Sequence, residues 1–199
     1  MPITKCSNSI SQSIFIDCDN IPKEGLEPYG LVFNKDEVTL TYDALNPRKI
    51  TAITLAAGAT PYQIYNPTKV PFENSGSEMN ADSAFPTFNK TVNFLIPNIG
   101  ADFSRDVIEP MVKGKEGYII VLPTKNQVAD GGFIVIGAEK GAVATAGTRN
   151  LTDVATMGGF AITLSEIGAS FETVTLSGAT FEAAKATYDA LEALAPTPS

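Results

Sequence analysis

Thr87 and Lys90 stand three residues apart, Asp17-Cys18-Asp19-Asn20 clusters oxygen-bearing side chains, and 22 acidic residues are spread along the chain, but no histidine occurs anywhere. That absence removes the imidazole base of Ser-His-Asp and Cys-His pairs, and with it every mixed Cys/His zinc site. Two cysteines, Cys6 and Cys18, fall short of a four-thiolate metal site within one chain. A lysine can activate a hydroxyl nucleophile. Thr87 and Lys90, however, lie on an alternating run, where residues three apart face opposite sides of a strand. The 17–20 cluster is no helix-loop-helix calcium loop, because Pro22 occupies its sixth position, where glycine is needed, and Pro28 its twelfth, where glutamate is needed. A turn ahead of Ile21-Pro22, with Asp and Asn side chains bonding the backbone, suits those residues better.

The glycine pairs fail a similar test. None is followed by Lys-Ser or Lys-Thr, and none forms a Gly-x-Gly-x-x-Gly run between a strand and a helix, so no nucleotide loop is expected. Paired carboxylates remain as material for a hydrolase, but a chain with no tryptophan and few arginines has little with which to hold a sugar. The expectation is a protein that is not an enzyme, with no catalytic residue, no cofactor and no metal. A carboxylate-based hydrolase is the rival outside that class.

The elements that must position any site follow from size and pattern. A chain of 199 residues buries roughly 70% of its unfolded surface on folding, enough for one hydrophobic core without disulfide or metal staples. The reading is a single β-rich domain over 1–199. Its net charge of −8 argues against gripping nucleic-acid phosphates, which takes lysine and arginine to displace counterions. The opening Met-Pro-Ile-Thr-Lys-Cys-Ser-Asn lacks the apolar run of about 7–15 residues that a secretory signal carries. No stretch approaches the ~20 apolar residues of a membrane-crossing helix. A protein kept in a cytoplasm, with Cys6 and Cys18 reduced, is therefore expected, and no membrane partner.

Strand-like alternation dominates. Tyr29 to Asn34 and Glu37 to Tyr42 are β-branched and aromatic, and in the second Val38, Leu40 and Tyr42 alternate with Glu37, Thr39 and Thr41. Ile50 to Leu55, Lys90 to Ile96, Gly117 to Leu122, Gly132 to Ala138, Phe160 to Glu166 and Phe171 to Leu176 follow the same rule. About eight or nine such strands predict an antiparallel β-sandwich or barrel, mainly β within an α+β class. The last third reads as an antiparallel meander turning near Gly141. Two segments break the pattern. Phe103, Val107 and Met111 recur every four residues over Asp102 to Val112, which suits one short internal helix that Pro110 should distort. Thr180 to Leu194 forms a C-terminal helix, with Thr180 as N-cap and Phe181, Ala184, Tyr188, Leu191 and Ala195 on one stripe.

Residues 66–89 carry Pro67, Pro71, Gly76, Pro86 and several Asn and Ser, and read as a long loop or an arm. Phe72, Met79, Phe85 and Phe88 make it more apolar than a free loop needs, so these four are candidate subunit contacts. Phe181, Tyr188 and Leu191 of the C-terminal helix are the second candidate set. Residues 1–13 form a possible N-terminal arm. Arg149, isolated in an uncharged stretch, is expected to be solvated near Asp153 or to serve an intersubunit ion pair.

Three blocks of the chain point to a family. Gly132-Phe-Ile-Val-Ile-Gly-Ala-Glu-Lys-Gly141, the Ala146 to Asp153 segment and Gly158-Gly-Phe-Ala-Ile-Thr-Leu-Ser165 resemble structural proteins of tailed bacteriophages, especially those infecting Bacteroidetes. Asp17 to Asn20, followed by Gly25-Leu-Glu-Pro and the Leu31-Val-Phe-Asn strand, is similar to the start of the same proteins. The resemblance covers about half the chain, and its targets are tail-tube and tail-ring components. It implies a virion protein assembled in the host cytoplasm, whose homo-oligomeric ring or stacked rings meet other tail or neck proteins. DNA would pass through the channel without specific binding. A capsid decoration protein is the structural rival.

Overall fold

The computed structural model describes residues 23, 25–66, 68, 70–81, 85–153, 156 and 158–196. The candidate arm at 1–13, both cysteines and the 17–20 turn lie outside them. Among the described residues there are eleven strands: β1 Tyr29–Asn34, β2 Val38–Tyr42, β3 Lys49–Leu55, β4 Tyr62–Tyr65, β5 Gly76–Asn80, β6 Thr87–Ile96, β7 Tyr118–Pro123, β8 Phe133–Ile136, β9 Val143–Arg149, β10 Phe160–Ala169 and β11 Thr175–Leu176. They form two open sheets, not a closed barrel. One has seven strands in the order β2, β3, β11, β8, β7, β1, β4, and the other four in the order β5, β6, β10, β9.

The apolar pattern of β7 explains the layering. Tyr-Ile-Ile-Val-Leu-Pro is buried at every position, as a strand covered on both faces must be. Its alternate residues serve different cores. Ile119 and Val121 join Leu31, Phe33, Val135 and Leu176 beneath the C-terminal helix, whereas Ile120 and Leu122 join Val92, Phe94, Ile162 and Leu164 between the sheets. The order is therefore helix, seven-stranded sheet, four-stranded sheet. β6 alternates strictly, with Val92, Phe94 and Ile96 packed inward and 91, 93 and 95 turned away, and β10 follows the same alternation up to Leu164.

The C-terminal helix, Phe181–Glu192, starts where its cap predicts: the Ala183 N–H donates to Thr180 Oγ1 at 3.2 Å. Ala184, Tyr188 and Leu191 are buried on the sheet. The rings of Phe181 and Tyr188 stack on Phe133 with centroids at 5.7 and 5.1 Å. The internal helical run covers 101–113, and its distortion precedes Pro110. Residues Ser104–Ile108 form a π-turn, closed by the Glu109 N–H on Ser104 O. Pro110 offers no N–H and its ring crowds the carbonyl four residues back, which favours the wider turn at that point.

The structure corrects two expectations of order. The last third is no meander: β8 and β11 belong to the seven-stranded sheet and β9 and β10 to the other. The chain changes layer through 137–142, where Gly137 adopts φ 87° and Gly141 φ 81°. A side chain at Gly137 would bring its Cβ to 2.0 Å from Tyr118 O, so only glycine permits the crossing. The expected strand from Phe171 shrinks to Thr175–Leu176, which pairs parallel with β3 and antiparallel with β8. Within 66–89 lie β5, the start of β6 and the buried ring of Phe72.

Candidate functional site

Alternation assigns the outward face of the four-stranded sheet. Thr87, Asn89, Thr91, Asn93 and Leu95 of β6 lie beside Ala161, Thr163 and Ser165 of β10, since their neighbours in sequence fill the core. The polar side chains bond one another across the strands. Thr163 Oγ1 donates to Asn93 Oδ1 at 2.6 Å, the Thr145 and Ser165 hydroxyls meet at 2.8 Å, and Asn89 Oδ1 accepts from the Gly168 N–H at 3.1 Å. On β5 the residues sharing this face are Gly76, Glu78 and Asn80. Among these positions of β5, β6 and β10, Glu78 carries the one formal charge. The surface is a ladder of hydroxyls and amides.

The edges of this sheet are its second feature. Each neighbouring pair is antiparallel, so β5 and β9, at opposite ends of the order, run in opposite directions. β9 reads Val-Ala-Thr-Ala-Gly-Thr-Arg, with exposed Thr145, Ala146, Gly147 and Thr148 and no charge before Arg149. Beyond its pairing with β10, no backbone hydrogen bond reaches it among the described residues. Before Arg149 this edge has none of the lysines, prolines or inward charges by which solitary sheets discourage pairing, and a bulge at Thr145 is its one irregularity against β10. The Glu109–Lys113 part of the internal helical run contacts β9, and its Met111 packs into the interior.

The residues singled out from sequence divide sharply. Met79 is 65% exposed and Phe85 84% exposed, and Phe88 lies opposite Met79 in the β5–β6 register, so these three share one hairpin. Phe72 lies in the core between the sheets, and Tyr188 and Leu191 lie in the core under the helix, with Phe181 partly buried against it. Their apolar surface is used within the chain, since a stripe at helical spacing serves a core as readily as a partner. Arg149 is not simply solvated. It lies over the Phe160 ring at 5.8 Å and donates from Nη2 to Asn98 O at 3.1 Å. Lys90 and Thr87 do face opposite sides of β6.

Sequence reasoning missed the charged cluster inside the sandwich. Lys90 is 2% exposed and Glu166 is fully buried, and they sit directly opposite each other on β6 and β10. Lys90 Nζ is 3.1 Å from Glu166 Oε2 and 3.7 Å from Glu139 Oε1. Glu166 Oε1 accepts the Glu139 and Lys140 N–H groups, both at 2.8 Å, and Oε2 accepts that of Gly137 at 3.1 Å. Glu139 accepts from Ser170 and Phe171 at 2.9 and 3.2 Å. Burial alone would push the Glu139 carboxyl up, but those two N–H donors and the Lys90 charge outweigh it and hold the group below the ordinary carboxylate range. The signal available in sequence was a lysine at an inward position of an alternating strand.

Among the described residues, no three of His, Cys, Asp and Glu converge as metal ligands, and no helix is long and apolar enough to cross a membrane. No protein-family model, curated protein or solved structure matches the chain.

Proposed function

We propose that this protein is a structural subunit of a tailed-phage particle, of tail-tube or tail-ring kind, which closes into a ring by joining copies through the edges of its four-stranded sheet. The observation that carries the reading is the strand polarity of that sheet. Because β5 and β9 are antiparallel, a copy rotated about a ring axis brings its β5 alongside a neighbour's β9 in antiparallel register, and repetition leaves no edge unpaired. The exposed Met79 and Phe85 travel with β5 and add apolar surface to the same junction.

The face that such a ring turns toward its channel also supports the reading. A lumen of hydroxyls and amides in a chain of net charge −8 offers few cations to hold DNA phosphates, so DNA slides instead of binding. Charges placed on the edge test the joint. Ala146→Lys with Thr148→Lys, both exposed positions, should leave the subunit folded by circular dichroism and shift its sedimentation from a high assembly to monomer. Assemblies that persist unchanged in that variant would remove β9 from the joint.

A further inference from the structure

The buried contact between Lys90 and Glu166 has the close approach of an ion pair without the alignment of a hydrogen bond. Nζ lies 3.1 Å from Oε2, yet no directed hydrogen bond involves it among the described residues. Burying a charged pair is costly, and the cost is normally offset by well-aligned hydrogen bonds on both partners. Glu166 has them through Gly137, Glu139 and Lys140, whereas Lys90 does not. The asymmetry fits a pair arranged for a reaction.

We propose that Lys90 and Glu166 condense into a side-chain amide, an internal cross-link between β6 and β10, with Glu139 as the proton relay. The parts of an acyl-transfer site are in place. The amine lies 3.1 Å from Oε2, one bond from the carbon it must attack. Oε1 lies between two backbone N–H donors, where negative charge builds as the amine adds to Cδ. The Glu139 carboxylate, anchored by Ser170 and Phe171 and 3.7 Å from Nζ, takes the proton that frees the amine's lone pair. A nitrogen–carbon bond then forms at Cδ and the Cδ–Oε2 bond breaks. Of the three protons of the ammonium, one stays on the amide nitrogen and two depart with Oε2 as water, relayed by Glu139, which ends as it began. Nothing is oxidised or reduced and no co-reactant is needed. The product replaces two buried charges with one neutral amide, which removes their desolvation cost.

Intact mass spectrometry of the full purified chain, denatured after folding, tests this directly. Once the mass of the substitution is allowed for, the wild-type chain should be one water lighter than Lys90→Met. Peptide mapping should give a branched peptide joining the segments that contain Lys90 and Glu166. Glu166→Gln should still link, with loss of ammonia instead of water. Glu139→Gln, shown to be folded by circular dichroism, should carry the unlinked mass. A folded wild-type chain with no deficit relative to Lys90→Met would overturn the proposal, and full linkage in Glu139→Gln would overturn the relay.

Discussion

Tyr188 is 2% exposed, stacked on Phe133, and its hydroxyl is buried with no hydrogen-bond partner among the described residues. Burial, with the charges of Glu192 and Asp189 and the Tyr29 hydroxyl adding to it, pushes its ionisation far above the ordinary tyrosine value. A hydroxyl in that position gives up its hydration and receives nothing in return, at a cost of about 1–3 kcal/mol. Tyr188→Phe keeps the ring against Phe133 and deletes only the costly atom, so it should stabilise the chain by about 1 kcal/mol, the lower end of that range. For a chain of this size that raises the melting temperature by roughly 2–4 °C. Urea unfolding followed by far-UV circular dichroism measures it, with an unchanged slope and a higher midpoint. Tyr188→Ala provides the contrast, because losing the ring from this core should cost about 3–5 kcal/mol. If Tyr188→Phe lowers the midpoint, the hydroxyl has a partner, and the packing described under the helix is wrong at its centre.

Two further perturbations follow from the same geometry. Thr180→Ala removes the cap on the Ala183 N–H and should cost about 1 kcal/mol by thermal melting, with Thr180→Ser restoring most of it. The Glu139 carboxyl is held below its unfolded value, so its contribution to stability is complete above the unfolded value and is lost as pH falls through the folded one. Asp130 shifts the same way, chiefly through its hydrogen bond from Lys49, with Thr175 and Ser177 assisting. Stability measured from about pH 6 down to about pH 2.5 should therefore decline through the carboxylate range, and more shallowly in Glu139→Gln than in wild type.

Much of the fold was legible because its strongest signals are local. The C-terminal helix announced itself through a cap, a stripe and an alanine-rich body, and β1, β3, β6 and β7 through β-branched alternation or continuous apolar runs. β9 escaped because Val-Ala-Thr-Ala-Gly-Thr-Arg has too little apolar contrast to show a period. β5 escaped because Gly-Ser-Glu-Met-Asn reads as turn residues, and pairing with β6 overrides that preference. The assignment of strands to sheets was beyond local reading, since it rests on a glycine-dependent crossing between layers at 137–142. The charged cluster was hidden for a related reason. Lys90, Glu139 and Glu166 come together only when β6, β10 and the turn after β8 do, and nothing in their spacing says so.

The claim on which the functional reading depends is that copies of this chain join edge to edge. Electron microscopy of the purified full-length protein across a range of concentrations in physiological salt puts that most directly: closed rings or stacked rings are the predicted result. Isolated particles of single-subunit mass at every concentration would contradict it.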